Sequence, residues 1–295
     1  MLLGIPMRLT TNIALHNSAP HVCLVFELLG PSLLHLMKNY GPRGLPLMCV
    51  KRVLQQVLQG LNFLHKKCRI IHTDIKPENI LVCVKADNFQ QYMAEAEVWN
   101  HNRTCGGNVN GVDVNFLTHL FETGNADMLG VKIADLGSAC WTYKPFSEEI
   151  QTQQYRALEV LLGSGYSTPA DIWSTALQDM AFEMATSFYL FEPQAGENFS
   201  RDDDHIACII ELLGRILPKI AFSGKKSATF FNKQGDLLRI PYLYPCGLYD
   251  TLVNRHKWQQ NEALLLASFL LPMLEYYPEK RASAENCLEH PWIQS

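Results

Sequence analysis

Residues 72–79 read HTDIKPEN and set a carboxylate (Asp74), an ammonium (Lys76) and a carboxamide (Asn79) in one short stretch, and a second carboxylate, Asp135, follows in ADLG. Moving a phosphoryl group onto a hydroxyl needs a carboxylate to take or orient the hydroxyl proton. It also needs oxygen ligands for the Mg²⁺ that bridges nucleotide phosphates, and a cation against the developing charge. In that chemistry Asp74 is the base, Lys76 the point charge beside the transferred phosphate, Asn79 an amide-oxygen ligand and Asp135 the main metal carboxylate. Taken singly, each residue has an ordinary explanation: an aspartate caps a turn, an asparagine fills a loop, an aspartate closes a strand. The ordered set is far more specific than any member, and it follows H-R-D-x-x-x-x-N and then D-F-G, with Thr73 in place of the arginine.

Such a set needs a frame. Val50, Val53, Leu54, Val57, Leu58, Leu61 and Leu64 share one helical face, so the spacing predicts a helix that ends just before CRIIHTD and delivers the chain to the loop. HVCLVFELLG (21–30) predicts a buried strand closed by Gly30, with a hinge after it. VKIADLGSA predicts a strand and turn, YSTPADIWS starts a helix with Pro169 in its first turn, and the remainder is mostly helical. Residues 85–129, Gly/Asn-rich around TCGGNVNGVDVN and without a sustained period, predict an inserted mobile loop. No internal repeat is visible.

With 47% apolar and 18% charged residues, the 295-residue chain can bury a sizeable core as one large domain or two lobes. A net charge of −4 argues against direct nucleic-acid binding and suits an arginine-rich partner better. The nine cysteines stand singly, with no C-x-x-C to hold zinc or a redox disulfide, and predict buried free thiols. MLLGIPMRL has no basic segment ahead of its apolar residues, and ALLLASFLLPML falls short of the ~20 residues that span a bilayer. The expectation is a soluble intracellular protein with no membrane contact.

HTDIKPENIL, IADLGSACW, IQTQQYRALEVLLGSGYSTPADIWS, YLFEP, DDDHIACIIELLG and PEKRASAENCLEHPW together resemble the C-lobe of a eukaryotic protein kinase. More narrowly they resemble the SR-protein kinases, which phosphorylate serines in the Arg-Ser repeats of splicing factors. The likeness covers residues 21–295 apart from the insert. It implies an α+β, protein kinase-like fold, mainly the helical C-lobe with a remnant of the β-rich N-lobe. Small-lobe remnant and hinge would be 1–30, C-lobe helices and catalytic loop 31–84, the spacer 85–129, and the metal-binding turn, activation segment and remaining C-lobe 130–295. It further implies a serine/threonine kinase using ATP and Mg²⁺, acting as a monomer on Arg-Ser-rich proteins in cytoplasm and nucleus.

Carried over by position, the resemblance implies that Glu27 and Leu29 flank the adenine-binding backbone, with Phe26 guarding the inner pocket and Leu81 forming the floor. Glu159 would pair with Arg281, and Asp171 would anchor the catalytic loop from the helix beneath it. Asp204 and Glu211, seven apart and so on one helical face, would line an acidic docking groove near Arg255. Arg156 and Arg201 would receive a phosphoserine or acidic side chain. Two family positions differ: Phe188 stands where a third groove carboxylate is expected, and Gln153 replaces an arginine. Threonine at position 73 is shared with the SR-protein kinases and implies constitutive readiness, with no activating phosphate to bind.

MLLGIPMRLTTNIALHNSAP contains no G-x-G-x-x-G, no V-A-I-K and no glutamate, so the expectation is a kinase truncated at its N-terminal lobe. In STALQDMAFEM the chain has two residues more than the family's segment, around Leu177–Asp179. These would rotate the rest of a helix by about 200° unless a bulge absorbs them. A rival reading therefore stays open, that of a catalytically impaired lobe that only binds arginine-rich proteins.

Overall fold

The computed structural model describes residues 8–16, 19–41, 44–84, 126–176 and 181–295. The chain opens with an antiparallel hairpin, β1 (Arg8–His16) and β2 (Ala19–Phe26), with a register shift at Arg8/Thr10. The strand expected over 21–30 thus ends at Phe26. Beyond it the chain turns onto the helical body, where the Gly30 amide donates to the Val82 carbonyl at 2.7 Å. A Cβ at Gly30 would meet Val84 Cγ2 at 2.6 Å, so this approach requires glycine.

Ser32 caps helix α1 (Leu33–Tyr40), and Gly41, at φ 118°, ends it. Helix α2 (Leu47–Phe63) starts after Pro46 and buries Val50, Val53, Leu54, Val57, Leu58 and Leu61, the face read from the apolar spacing. Its last turn widens into a π-turn, Leu64–Cys68, and stops at the left-handed Arg69. Burying six such side chains at about 1.5–3 kcal/mol each makes α2 the central post of the core.

Four short strands follow from the way the next segments fold back. β3 (Ile70–Ile71) pairs with β6 (Cys140–Trp141), and β4 (Ile80–Val82) pairs with β5 (Val131–Ile133), both antiparallel. One pair is nested inside the other in sequence, so the loop between β3 and β4 must face the loop between β5 and β6. The first of these loops is HTDIKPEN and the second contains Asp135.

The rest is helical: α3 (Leu158–Leu162), α4 (Pro169–Ala176), α5 (Glu183–Thr186), α6 (Arg201–Leu213), α7 (Gln260–Leu270), α8 (Ala284–Leu288) and α9 (Pro291–Gln294). Pro169 is the first residue of α4, and a Ser200/Asp203 capping box opens α6. One contiguous apolar core runs from Leu33 to Ile293. No helix among the described residues is long and apolar enough to cross a membrane.

Two expectations are corrected. The inserted loop does not reach residue 129: Ala126–Met128 is a helical turn, Leu129 is buried, and the Gln56 amide bonds the Leu129 carbonyl and the Val131 amide. Residues 85–125 lie outside the described residues, as do Leu177–Asp179. Among the described residues seven thiols are free, yet of these only Cys49, Cys140 and Cys287 are buried. Cys68, Cys83, Cys208 and Cys246 are half-buried.

Candidate active site

The two facing loops are joined at three points. Ala134 N donates to Asn79 O at 2.7 Å, His72 Nε2 lies 2.9 Å from Ala134 O, and Thr73 Oγ1 donates to Ser138 O at 2.9 Å. Thr73 is buried at φ 71°, an uncommon conformation for a β-branched residue, and it is held from behind by Asp171. The fully buried Asp171 carboxylate on α4 accepts from His72 N at 2.8 Å and Thr73 N at 2.9 Å. It also pairs with His65 Nε2 at 2.8 Å, a residue that the π-turn after α2 presents.

Asp74 sits at the centre. Lys76 Nζ lies 2.7 Å from its Oδ2, Thr152 Oγ1 donates to its Oδ1 at 2.9 Å, and Asn79 Nδ2 reaches Oδ2 at 3.2 Å and the Asp74 carbonyl at 2.8 Å. Lys76 Nζ donates in turn to Thr152 Oγ1 at 3.1 Å. Burial pushes the Asp74 carboxyl up, but the bonds from Lys76, Thr152 and Asn79 together with the Lys76 charge outweigh it, so the group sits below its ordinary value. The surroundings therefore favour the ionised carboxylate.

Asp135 is exposed, in a left-handed conformation with φ 61°, and uses one oxygen to accept from Gly137 N at 3.2 Å. Asn79 is buried and spends its side-chain amide hydrogens on Asp74, which leaves its side-chain Oδ1 as the atom able to ligate. Both are hard oxygen donors. Glu27 forms an ion pair with Lys132 on β5, while Leu29 and Leu81 are half-buried where the hairpin joins the body. Phe26 is 53% exposed.

Below the site, Arg281 grips Glu159 with two parallel bonds, 2.6 Å from Nη1 to Oε1 and 2.9 Å from Nη2 to Oε2, both side chains buried. The guanidinium also donates to Pro169 O and Glu275 O and lies 4.7 Å over Trp173. The expected docking residues come together in part. Asp204 and Glu211 share a face of α6, and each accepts a backbone amide at 2.8 Å, from Gln194 and Tyr244 respectively. Burial, then the charges of these two carboxylates, push the Cys208 thiol between them up to about 12. Arg255, at the end of the Thr251–Arg255 turn, is exposed. Phe188 packs on His256, with ring centroids 5.2 Å apart.

Arg156 differs most from expectation. It donates to Ile150 O and Gln151 O at 3.2 Å each and to Gln153 Oε1 at 3.0 Å, with Asp202 3.8 Å away. It braces its own loop, because the loop's carbonyls turn inward around it; Arg201 stays exposed at the start of α6. Two functional residues escaped the sequence reading. Thr152 bridges Asp74 and Lys76. Gln151, buried at φ 67°, ties the same loop to α4 through Ala170 O and Ser174 Oγ at 2.9 Å. The only available signal was their place inside QTQQYRA.

A two-stranded entry, a helical body and the Asp74 loop facing the turn that carries Asp135 are the arrangement expected of a protein kinase. A protein kinase domain model matches residues 8–96 and 113–293. The chain is 36% identical to SRSF protein kinase 3 of Mus musculus over 92% of its own length and 72% of that protein's. It is 42% identical to serine/threonine-protein kinase SRPK of Physarum polycephalum, covering 92% and 67% respectively. Protein kinase dsk1 of Schizosaccharomyces pombe is 32% identical, covering 93% and 66%. The chain belongs to the SR-protein kinases, serine/threonine kinases of the protein kinase superfamily, a superfamily that generally uses ATP and Mg²⁺.

Proposed function

We propose that this chain transfers the γ-phosphate of ATP to serines in Arg-Ser-rich splicing factors and so regulates pre-mRNA splicing. The observation that carries the reading is the Asp74 carboxylate, kept ionised and aimed by Lys76, Thr152 and Asn79. Asp74 accepts the serine hydroxyl proton, Lys76 offsets charge on the transferring group, and Thr152 fixes their relative positions. Asp135 and the side-chain Oδ1 of Asn79 would hold Mg²⁺, which favours hard oxygen ligands. When bound, the metal neutralises phosphate charge. Glu27 and Leu29 supply the backbone beside the adenine, and Leu81 lies beneath it.

Asp204 and Glu211 each keep one carboxylate oxygen for an arginine-rich segment, with Arg255 beside them and Arg156 and Arg201 near the phosphoacceptor. With this reading goes a monomer working in cytoplasm and nucleus, apart from nucleic acid and membranes. The test is transfer of labelled phosphate from ATP to an Arg-Ser repeat peptide. Incorporation well above that of Asp74→Ala is expected, and incorporation equal to that variant overturns the proposal.

A further inference from the structure

The loop joining the chain to the Leu248–Asp250 turn reads RIPYLYPCG from Arg239 to Gly247. Pro241 and Pro245 fix their own φ angles and bias Ile240 and Tyr244 toward extended backbone, so the loop is stiff before anything binds. Side chains alternate along extended chain. From Tyr242 to Tyr244 the chain follows that pattern: Leu243 packs against the core, while Tyr242 and Tyr244 on either side of it point outward, 80% and 76% exposed. Neither ring stacks on another ring or a cation among the described residues.

Two bonds fix this loop to α6 at Glu211: Tyr244 N to Glu211 Oε1 at 2.8 Å, and Cys246 N to Glu211 O at 2.9 Å. The tyrosine pair therefore stands beside the carboxylate face of Asp204 and Glu211. An exposed aromatic face next to carboxylates suits a guanidinium, which stacks its plane on a ring while its edge donates to oxygen. An ammonium has no plane to stack and meets a ring only as a strongly hydrated point charge, so it gains less from the same surface. The spacing agrees as well. Two residues of extended chain span about 6.6 Å, which separates Tyr242 from Tyr244 and equally separates successive arginines of an extended Arg-Ser repeat.

We propose that Tyr242 and Tyr244 form an aromatic ledge that stacks alternate arginines of an Arg-Ser segment beside Asp204 and Glu211, setting a preference for arginine over lysine and for a two-residue period. This rests on the substrate class given above and adds a specificity element to it.

The experiment measures fluorescence anisotropy of labelled Arg-Ser, Lys-Ser and Arg-Arg-Ser-Ser repeat peptides of equal length and charge on the whole chain. Tyr242→Leu/Tyr244→Leu is expected to weaken Arg-Ser binding about 5- to 30-fold. It should leave Lys-Ser and Arg-Arg-Ser-Ser binding within about twofold, and Tyr242→Phe/Tyr244→Phe should bind like the parent. Wild-type affinity in the leucine variant, alongside loss in Asp204→Asn/Glu211→Gln, removes the ledge and keeps the docking face. Equal weakening of all three peptides also removes it, since a general apolar contact would act that way. Reduced self-association in sedimentation without a change in peptide affinity reassigns the ledge to a second copy and overturns the proposal. No binding of Arg-Ser peptide by the parent chain removes the docking reading and the ledge with it.

Discussion

Asp74 is pulled in two directions. Burial favours its neutral form, while Lys76, Thr152 and Asn79 favour the ionised one and win. A carboxyl whose native value is depressed contributes stability above its unfolded value, about 3.9. That contribution is lost as pH falls through the lower native value. Carboxyl ¹³C NMR should find Asp74 titrating below the ordinary aspartate range in the parent. In Lys76→Met, where the Lys76 bond and charge are gone and burial remains, it should titrate higher. An unmoved titration would mean that Lys76 does not control the base. Thr73 supports the neighbouring residue differently, through its hydroxyl bond to Ser138 O. Thr73→Val keeps the branched shape and removes the bond. It should cost about 0.5–1.5 kcal/mol in urea unfolding and lower kcat with KM for ATP little changed, because what slackens is the link between the two loops.

At the scale of elements, α3 and the segment before α8 are locked by Glu159 and Arg281, and breaking one side leaves a buried charge alone. Glu159→Gln should cost about 3–5 kcal/mol, read as a lower urea midpoint with unchanged m-value; a loss below about 1 kcal/mol would show the pair to be solvated. Helix α6 carries a different liability. His205 is fully buried against Phe191, neither ring nitrogen has a partner, and burial, then the Arg156 charge, push it down to about 3. The fold therefore keeps it neutral while the unfolded chain protonates below about 6.5. Stability should fall by about 1.4 kcal/mol per pH unit from there toward the native value. His205→Leu should flatten this slope in urea titrations between neutral pH and pH 5. The elements themselves differ in how far they could be read. Helix α2 was legible because one face repeats every three to four residues, and Pro169 marked the start of α4. Strand β1 was not, since RLTTNIALH has no clean alternation and exists through its pairing with β2.

Across the whole molecule the same contrast holds. Asp74, Asn79 and Asp135 were readable because their chemistry is carried by local spacing, whereas Thr152 meets Asp74 only through a fold-back of 78 residues that no local pattern encodes. Arg156 looked free in sequence for the same reason: the carbonyls that occupy it come from a turn visible only in three dimensions. The nested pairing of β3 with β6 and β4 with β5 turns separate stretches into one site, so ligand binding there should stabilise the fold as a unit. A nucleotide that binds only the native state at about one hundred times its Kd adds about 2.7 kcal/mol, an upward shift of the melting temperature by several degrees for a domain of this size. The shift should appear with ATP and Mg²⁺, shrink when EDTA removes the metal, and lose its metal-dependent part in Asp135→Asn. Asp74→Asn should keep it, because the proposed role of Asp74 is toward the serine hydroxyl and the proposed metal oxygens are those of Asp135 and Asn79. If Asp135→Asn retained the full metal-dependent shift, the metal would lie elsewhere and Asp135 would serve only to cap its turn through Gly137.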